Sequence, residues 1–481
     1  MATGALVCEA LQTVLNDDRL FPPDPATRQM ARELYAHTRS LPIVSPHGHC
    51  DPAALADDLA YPDLASELVT KDHYLLRLLY SHGVQLESLG VEPLDGSAAE
   101  ADGRRVWRRF ADHYHLFRGT PSKLWLDHTL CEVLQVQTPL RGDTADDVYD
   151  QVAERLTGES YRPQALYQRF GIEFLATTDG ALDSLDAHDR LRKSGWPGRM
   201  VPTFRPDDVV DPERPGFHQR ITALGELTGE DTSTWTGYLS ALRARRATFV
   251  NAGATASDHG HPTAATADLS RHDAERLFHA VTRTGTSPAD AELFRAQMLF
   301  EMASMSVDDG LVMQLHTGAW RDHNLALAAR FGPDIGSDIP RSVDYVAALK
   351  PLLDRFGNET SLTLIVYTLD EATYSRELAP LAGHYPALRL GPPWWFHDSP
   401  EGIRRFYQLV SETAGFANTV GFNDDARSLL TIPARHDVAR RLNAGHLAGL
   451  VVEHRLADHE ALDIAEDLAY RLAQQAFRAA P

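Results

Sequence analysis

Short apolar, β-branched runs alternate along the chain with longer stretches of helical periodicity. The runs cover residues 41–45, 172–178, 200–204, a Gly/Ala-rich 250–257, 311–316, 362–367, 388–390 and 419–422. Continuous apolar runs mark strands buried on both faces, and helical stretches between them make βαβ units with parallel strands. Eight such runs predict an α/β fold whose sheet closes into a (β/α)8 barrel.

The stretch from residue 51 to about 171 is far longer than a simple crossover needs. It carries helical periodicity, notably over residues 100–117 and 123–136. The chain therefore reads as one barrel domain, 1–481, with a helical insertion, 52–170, standing over one end. Barrel active sites lie on the loops after the strands, so such an insertion is placed to act as a lid. Residues 258–293 read as a second, smaller excursion. No internal repeat, low-complexity tract or interdomain linker is evident.

Charge narrows the function. A formal net charge of -21 repels phosphates, which argues against nucleic acid as a partner. An anionic substrate would need a local arginine clamp. Three cysteines, Cys8, Cys50 and Cys131, lie far apart with no CxxC pattern, so neither a disulfide framework nor a structural zinc finger is expected, and a reducing cytoplasm fits. Residues 1–17 lack the basic and apolar regions of a signal peptide. No apolar run is long enough for a bilayer span. A soluble, cytoplasmic protein with no membrane partner is the expectation; a homo-oligomer is expected from barrel size alone.

Four groups offer chemistry. Pro46-His47-Gly48-His49 directly follows the first run. Residues two apart on a strand share a face, which aims both imidazoles at one metal ion in the barrel mouth. A single HxH also occurs as polar decoration on a turn, and its position at the end of a strand is what raises it. His316 ends another buried run, where a lone histidine is more commonly a hydrogen-bonded rim residue than a ligand. Asn423-Asp424-Asp425-Ala426-Arg427 follows the last run and offers a carboxylate as oxygen ligand or proton carrier. The plain alternative there, above all for Asp424, is a helix cap. The fourth group handles substrate: Asp72-His73-Tyr74 supplies an imidazole and a phenol, Arg205 suits bidentate capture of a carboxylate, and Trp394-Trp395-Phe396 can wall a sugar ring. Singly, each of these defaults to packing or surface charge.

Together these segments resemble the uronate (glucuronate) isomerases of the amidohydrolase superfamily over nearly the full chain. The resemblance rests on His47-Gly48-His49, Lys71-Asp72-His73-Tyr74, Ala176-Thr177-Thr178-Asp179, Thr203-Phe204-Arg205-Pro206, Ala256-Ser257-Asp258-His259-Gly260, Met313-Gln314-Leu315-His316, Trp394-Trp395-Phe396 and Asp425-Ala426-Arg427. It implies interconversion of D-glucuronate with D-fructuronate, or of D-galacturonate with D-tagaturonate, at a mononuclear site without a bridging lysine. It also implies that His47, His49 and Asp425 are metal ligands, with His316 a further ligand or close neighbour. Arg205, Arg427, His73 and Tyr74 would then contact the sugar acid. Zinc is the first expectation for the metal, with manganese, cobalt or iron as alternatives. Two departures stand out. His397 occupies a position where asparagine is usual, and Trp125-Leu126-Asp127-His128 differs in detail from the family's tryptophan-rich segment.

An aldose–ketose conversion needs a base near C2, an electrophile at the carbonyl and stabilisation of a cis-enediol. Asp425, Tyr74 and His73 are the candidate proton carriers, and the sequence does not order them. No dinucleotide fingerprint is evident, so no nicotinamide is expected. The competing readings are a metal-dependent hydrolase, such as a sugar-acid lactonase, and a catalytically silent binding protein on the same scaffold.

Overall fold

The computed structural model describes residues 15–283 and 286–478; Cys8 and most of the 1–17 segment lie outside them. Seven parallel strands carry the barrel: β1 (Ile43–Ser45), β2 (Ile172–Ala176), β3 (Met200–Val201), β4 (Ala256–His259), β5 (Val312–His316), β6 (Leu364–Tyr367) and β7 (Leu388–Leu390). β2 and β3 break and resume as Asp179–Gly180 and Phe204–Arg205. One ladder joins β1, β2 and β3. A second runs from the resumed halves of β2 and β3 through β4, β5 and β6 to β7. The eighth run forms no ladder of its own, yet it takes the eighth place: Thr419 bridges Leu390, and the His49 N–H donates to the Ala426 carbonyl at 2.8 Å. Gly48 permits that closure, since a Cβ there would sit 3.3 Å from the Ala426 oxygen.

The fourth run is corrected in register. Residues expected to start a strand at 250 instead finish the helix Trp235–Asn251. The chain then turns at Gly253, with φ of 98°, and β4 begins only at Ala256. The physical reason is that Phe249 belongs to the buried helical face, and a Gly/Ala-rich stretch carries no period of its own to mark the boundary. The excursion expected over 258–293 accordingly begins inside β4. Past that strand it holds a loop and the helices Arg271–Arg283 and Pro288–Asp309.

Alternation along the strands sorts the core into two layers. Val44, Phe174, Ala176 and Val201 pack inside with Ala473, and Ala256, Val312, Ile365 and Tyr367 pack inside with Phe477. The C-terminal segment thus plugs the end where the strands begin, and Arg478 donates to the Gly310 carbonyl just before β5. Met313, Leu315, Leu364, Val366, Leu388 and Leu390 face outward under the helices.

Between β1 and β2 the described chain holds helices and turns, among them His73–Ser81, Gly103–His113, Pro121–His128 and Ala145–Leu156. Their apolar faces meet in a core of their own around Leu75, Leu79, Trp107, Phe110, Phe117 and Leu126, which reaches Leu327, Phe331 and Ile335 after β5. Asp102 caps the helix Gly103–His113 by accepting from the Arg104 and Arg105 N–H groups, as short carboxylates do at helix starts. Among the described residues no helix is long and apolar enough to cross a membrane.

Candidate active site

The chain order places β1 between β2 and the 419–427 segment, so the residues following β1 meet those following the eighth run. His47 Nε2 lies 3.6 Å and His49 Nε2 3.3 Å from Asp425 Oδ1. One potential ligand atom from each of the three lies within 4.8 Å of the others. Asp425 sits at φ of 48°, a left-handed conformation that is uncommon for a residue with a Cβ and recurs at functional sites. Its neighbour Asp424 is turned inward. Asp424 accepts from the Ala426 N–H at 3.1 Å and lies 3.0 Å from His436 Nε2, which closes a turn; the helix cap expected of it falls instead to Ser428, whose hydroxyl accepts from the Leu430 N–H.

His316, the last residue of β5, stacks on His47 with ring centroids 4.4 Å apart. Tyr367 stacks on His316 as well, at 3.9 Å. The His316 Nδ1 is 2.5 Å from Asp258 Oδ1. Asp258 is fully buried, and its second oxygen lies 3.3 Å from Arg205. Sequence reasoning quoted Asp258 only as part of a family segment and gave it no role. The usable signal was its place on β4, where period two sends it to the same face as Ala256, into the barrel.

Burial, with His316 beside it, pushes the His47 pKa down to about 3. Burial would raise the Asp425 carboxyl, but His49 and the neighbouring imidazoles outweigh it and hold the group well below the usual carboxylate range. The same contest, decided by His316 and Arg205, keeps Asp258 ionised. His47 Nδ1, His316 Nε2 and Asp425 Oδ1 are buried with no hydrogen-bond partner. A neutral imidazole beside an ionised carboxylate, with free lone pairs, is a donor set that fits a divalent ion of the zinc type.

A cavity of about 870 Å³ opens over this cluster and is lined by His47, His49, His73, Arg205, His316, Trp394, Trp395, Asp425 and Arg427. Arg427 approaches Asp334 at 3.7 Å, and Arg321 pairs with Asp338 at 2.7 Å; these three partners line the cavity too and were missed from sequence, because they lie in loops without periodicity. His73 packs its ring on Trp395 at 4.6 Å, and burial drives its pKa well below the ordinary histidine value, with Arg427 acting the same way.

Tyr74 does not line this cavity. Its hydroxyl donates to Asp398 at 2.7 Å and accepts from the Phe396 N–H at 2.9 Å, and Asp398 is held in turn by Arg435 at 3.1 Å. The Tyr74 hydroxyl thus forms a strap under the Trp395 wall, and Tyr74 lines a smaller cavity with His73, Asp425 and Arg427. The two family departures lie behind the same wall. His397 Nε2 is 2.9 Å from the Leu369 carbonyl, and Trp125 stacks under Arg435 at 4.0 Å.

Comparisons with known proteins show the family and the fold. The sequence model of glucuronate isomerase matches residues 23–477. The chain belongs to the glucuronate (uronate) isomerase family. A uronate isomerase of Phenylobacterium zucineum is 57% identical over 464 residues, covering 96% of each chain. The crystal structure of a glucuronate isomerase from Caulobacter crescentus superposes with a TM-score of 0.95 at 53% identity, covering 96% of this chain and 97% of that one. A uronate isomerase from Thermotoga maritima, at 26% identity, still gives 0.89 over 96% of this chain and 99% of that one. The family's barrel is thus the fold of this chain.

Proposed function

We propose that this chain interconverts hexuronates between aldose and ketose forms, D-glucuronate with D-fructuronate and D-galacturonate with D-tagaturonate, by proton transfer through a cis-enediol. The observation that carries the reading is the meeting of His47, His49 and Asp425 at one edge of a cavity that Arg205 and Arg427 also line. His47, His49 and Asp425 would hold one divalent ion, zinc first and manganese, cobalt or iron as alternatives, with His316 adjacent. When bound, the ion polarises the C1 carbonyl and offsets negative charge developing on the two oxygens. Arg205 and Arg427 supply the positive charge that a chain of net charge -21 lacks globally, and bind the carboxylate and hydroxyls of the sugar acid.

His73 and Asp425 line the cavity and carry the proton between C2 and C1. Their order follows from which one the bound sugar places near C2. Trp394 and Trp395 wall the ring, and the 52–170 segment, which delivers His73, covers the mouth. Hydrolysis would use the same ligand set, but family membership and a pair of arginines with no task in attack by water favour isomerisation. Two buried free cysteines, Cys50 and Cys131, fit a cytoplasmic setting.

The test is proton NMR in deuterated water with D-glucuronate and D-galacturonate. Ketose formation with deuterium entering at C1, lost in His49→Ala, is the expected result. Turnover with no isotope exchange would replace the enediol by a hydride shift. No conversion of either sugar by folded, metal-loaded protein would overturn the reading.

A further inference from the structure

The sequence contains a second H-G-H motif, His259-Gly260-His261, which the reaction does not use. Like the first, it lies at the end of a barrel strand, here β4. Like the first, it meets an aspartate carried by a neighbouring strand's loop: Asp207 follows β3's continuation, as Asp425 follows the eighth run. One potential ligand atom from each of Asp207, His259 and His261 lies within 4.8 Å of the others. All three side chains are buried.

The polar atoms of this cluster are left bare in the manner of ligands. His261 has no hydrogen-bond partner at either ring nitrogen, and His259 has none at Nδ1. A buried polar group without a partner is costly, so these bare nitrogens ask for an occupant. Asp207 Oδ2 is taken by the Arg205 Nε–H at 2.8 Å and more loosely by Arg214 at 3.4 Å. Asp207 Oδ1 accepts only from the Gly260 N–H, at 3.1 Å, which leaves it a lone pair. Gly260 is needed for this approach: a Cβ would fall 2.1 Å from the Arg205 guanidinium and 2.8 Å from Asp207 Oδ2.

The surrounding cations are matched by carboxylates of their own. Arg205 also meets Asp258, Arg214 pairs with Asp208, Arg295 with Asp211, Glu213 and Glu292, and Arg246 with Asp309. The two sites lie on opposite faces of the barrel wall. Asp258 shares the inward face of β4 with Ala256, whereas His259, one residue on, faces the helical layer. Arg205 bridges them, bonded to Asp207 of one cluster and beside Asp258 of the other.

We propose that Asp207, His259 and His261 bind a second divalent ion of the zinc type, which anchors the loop presenting Arg205 to the substrate cavity. Two imidazoles, one carboxylate and an enclosed setting suit tetrahedral zinc with a fourth ligand from water. The ion takes one nitrogen of each imidazole and fixes Asp207, and Asp207 fixes the Arg205 guanidinium. The site is structural, set apart from the reacting sugar.

The test is metal content of the full chain, purified with zinc and dialysed against metal-free buffer, read by plasma emission spectrometry alongside circular dichroism. About two equivalents in the wild type, about one in His49→Ala and about one in His261→Gln is the expected pattern, since each variant removes a ligand of one site. One equivalent in the wild type with none in His49→Ala would show that the second cluster holds no ion and overturn the proposal, as would two equivalents retained in His261→Gln. Should His261→Gln fail to fold, His49→Ala decides: one retained equivalent supports the second site and none overturns it. Two equivalents in His49→Ala with one in His261→Gln would leave the second site standing and remove His49 from the first.

Discussion

At the scale of single residues, the site divides its arginines by how deeply each is bound into the protein. Arg205 is wedged between Asp207 and Asp258, both buried, so its loss would strand two carboxylates. Arg427 has one loose partner, Asp334, whose side chain is 57% exposed. Arg427→Gln should therefore raise KM for a hexuronate by about tenfold to a hundredfold, the worth of a charge-assisted hydrogen bond of roughly 1.5–3 kcal/mol, with little change in melting temperature. Steady-state kinetics beside thermal unfolding checks this, and a large loss of stability at unchanged KM would contradict it. Asp179, at the resumed half of β2, gives a second prediction. It accepts from the Thr177 hydroxyl at 2.6 Å, and burial pushes its carboxyl up to about 6. The folded state then holds that proton more tightly than the unfolded chain. The contribution to stability is present in acid and is lost as pH rises from about 4 to 6. Relative to Asp179→Asn, which cannot titrate, the wild type should lose up to about 3 kcal/mol across that window, measured by urea unfolding at a series of pH values. A difference independent of pH would refute the assignment.

At the scale of elements, the Asp398–Tyr74–Phe396 strap ties the helix His73–Ser81 to the loop after β7. Asp72 caps the helix His73–Ser81 through the Tyr74 and Leu75 N–H groups, which fixes where the His73 and Tyr74 side chains leave the backbone. Phe396 at the far end adopts a left-handed φ of 67°, and the Tyr74 hydroxyl secures its N–H. Tyr74→Phe leaves Asp398 and that N–H short of a partner. It should cost about 1–3 kcal/mol of stability and raise KM more than it lowers kcat, because the Trp395 wall loosens while the proton carriers stay in place. Equal loss in kcat and kcat/KM would instead make Tyr74 part of the chemistry. Such a strap was not legible in the sequence. The Asp-His-Tyr group announced acid–base chemistry by residue type, but Tyr74 and Phe396 stand 322 positions apart, and no local pattern records which polar groups tertiary packing has already occupied. The β4 boundary failed for a different reason: alanine and glycine carry neither helical nor strand periodicity.

At the scale of the whole molecule, the barrel is closed at its base by its own C-terminus. Phe477 is fully buried among Ala256, Val312, Ile365 and Val420, and Gln474 and Tyr470 hold Glu173 of β2. Phe477→Ala should cost about 3–5 kcal/mol, as other large truncations in a packed core do, visible as a lower urea midpoint; an unchanged midpoint would show that the plug is dispensable. Nothing in the terminal residues foretold this, because a short apolar helix end reads the same whether it covers a barrel or caps a bundle. What the sequence by itself determined was the succession of buried strands and helices, and with it the parallel barrel and the family. It also determined the placing of His47, His49, His316, Arg205 and Asp425 at strand ends, where a barrel gathers its chemistry. Those follow from local pattern and chain order, which period and motif record directly. Only the tertiary structure decided that Asp424 meets His436, that Asp258 orients His316, and that the Tyr74 hydroxyl is tied to Asp398 and Phe396. Each depends on which partner a polar atom meets across the fold, and that is set by packing between segments far apart in sequence.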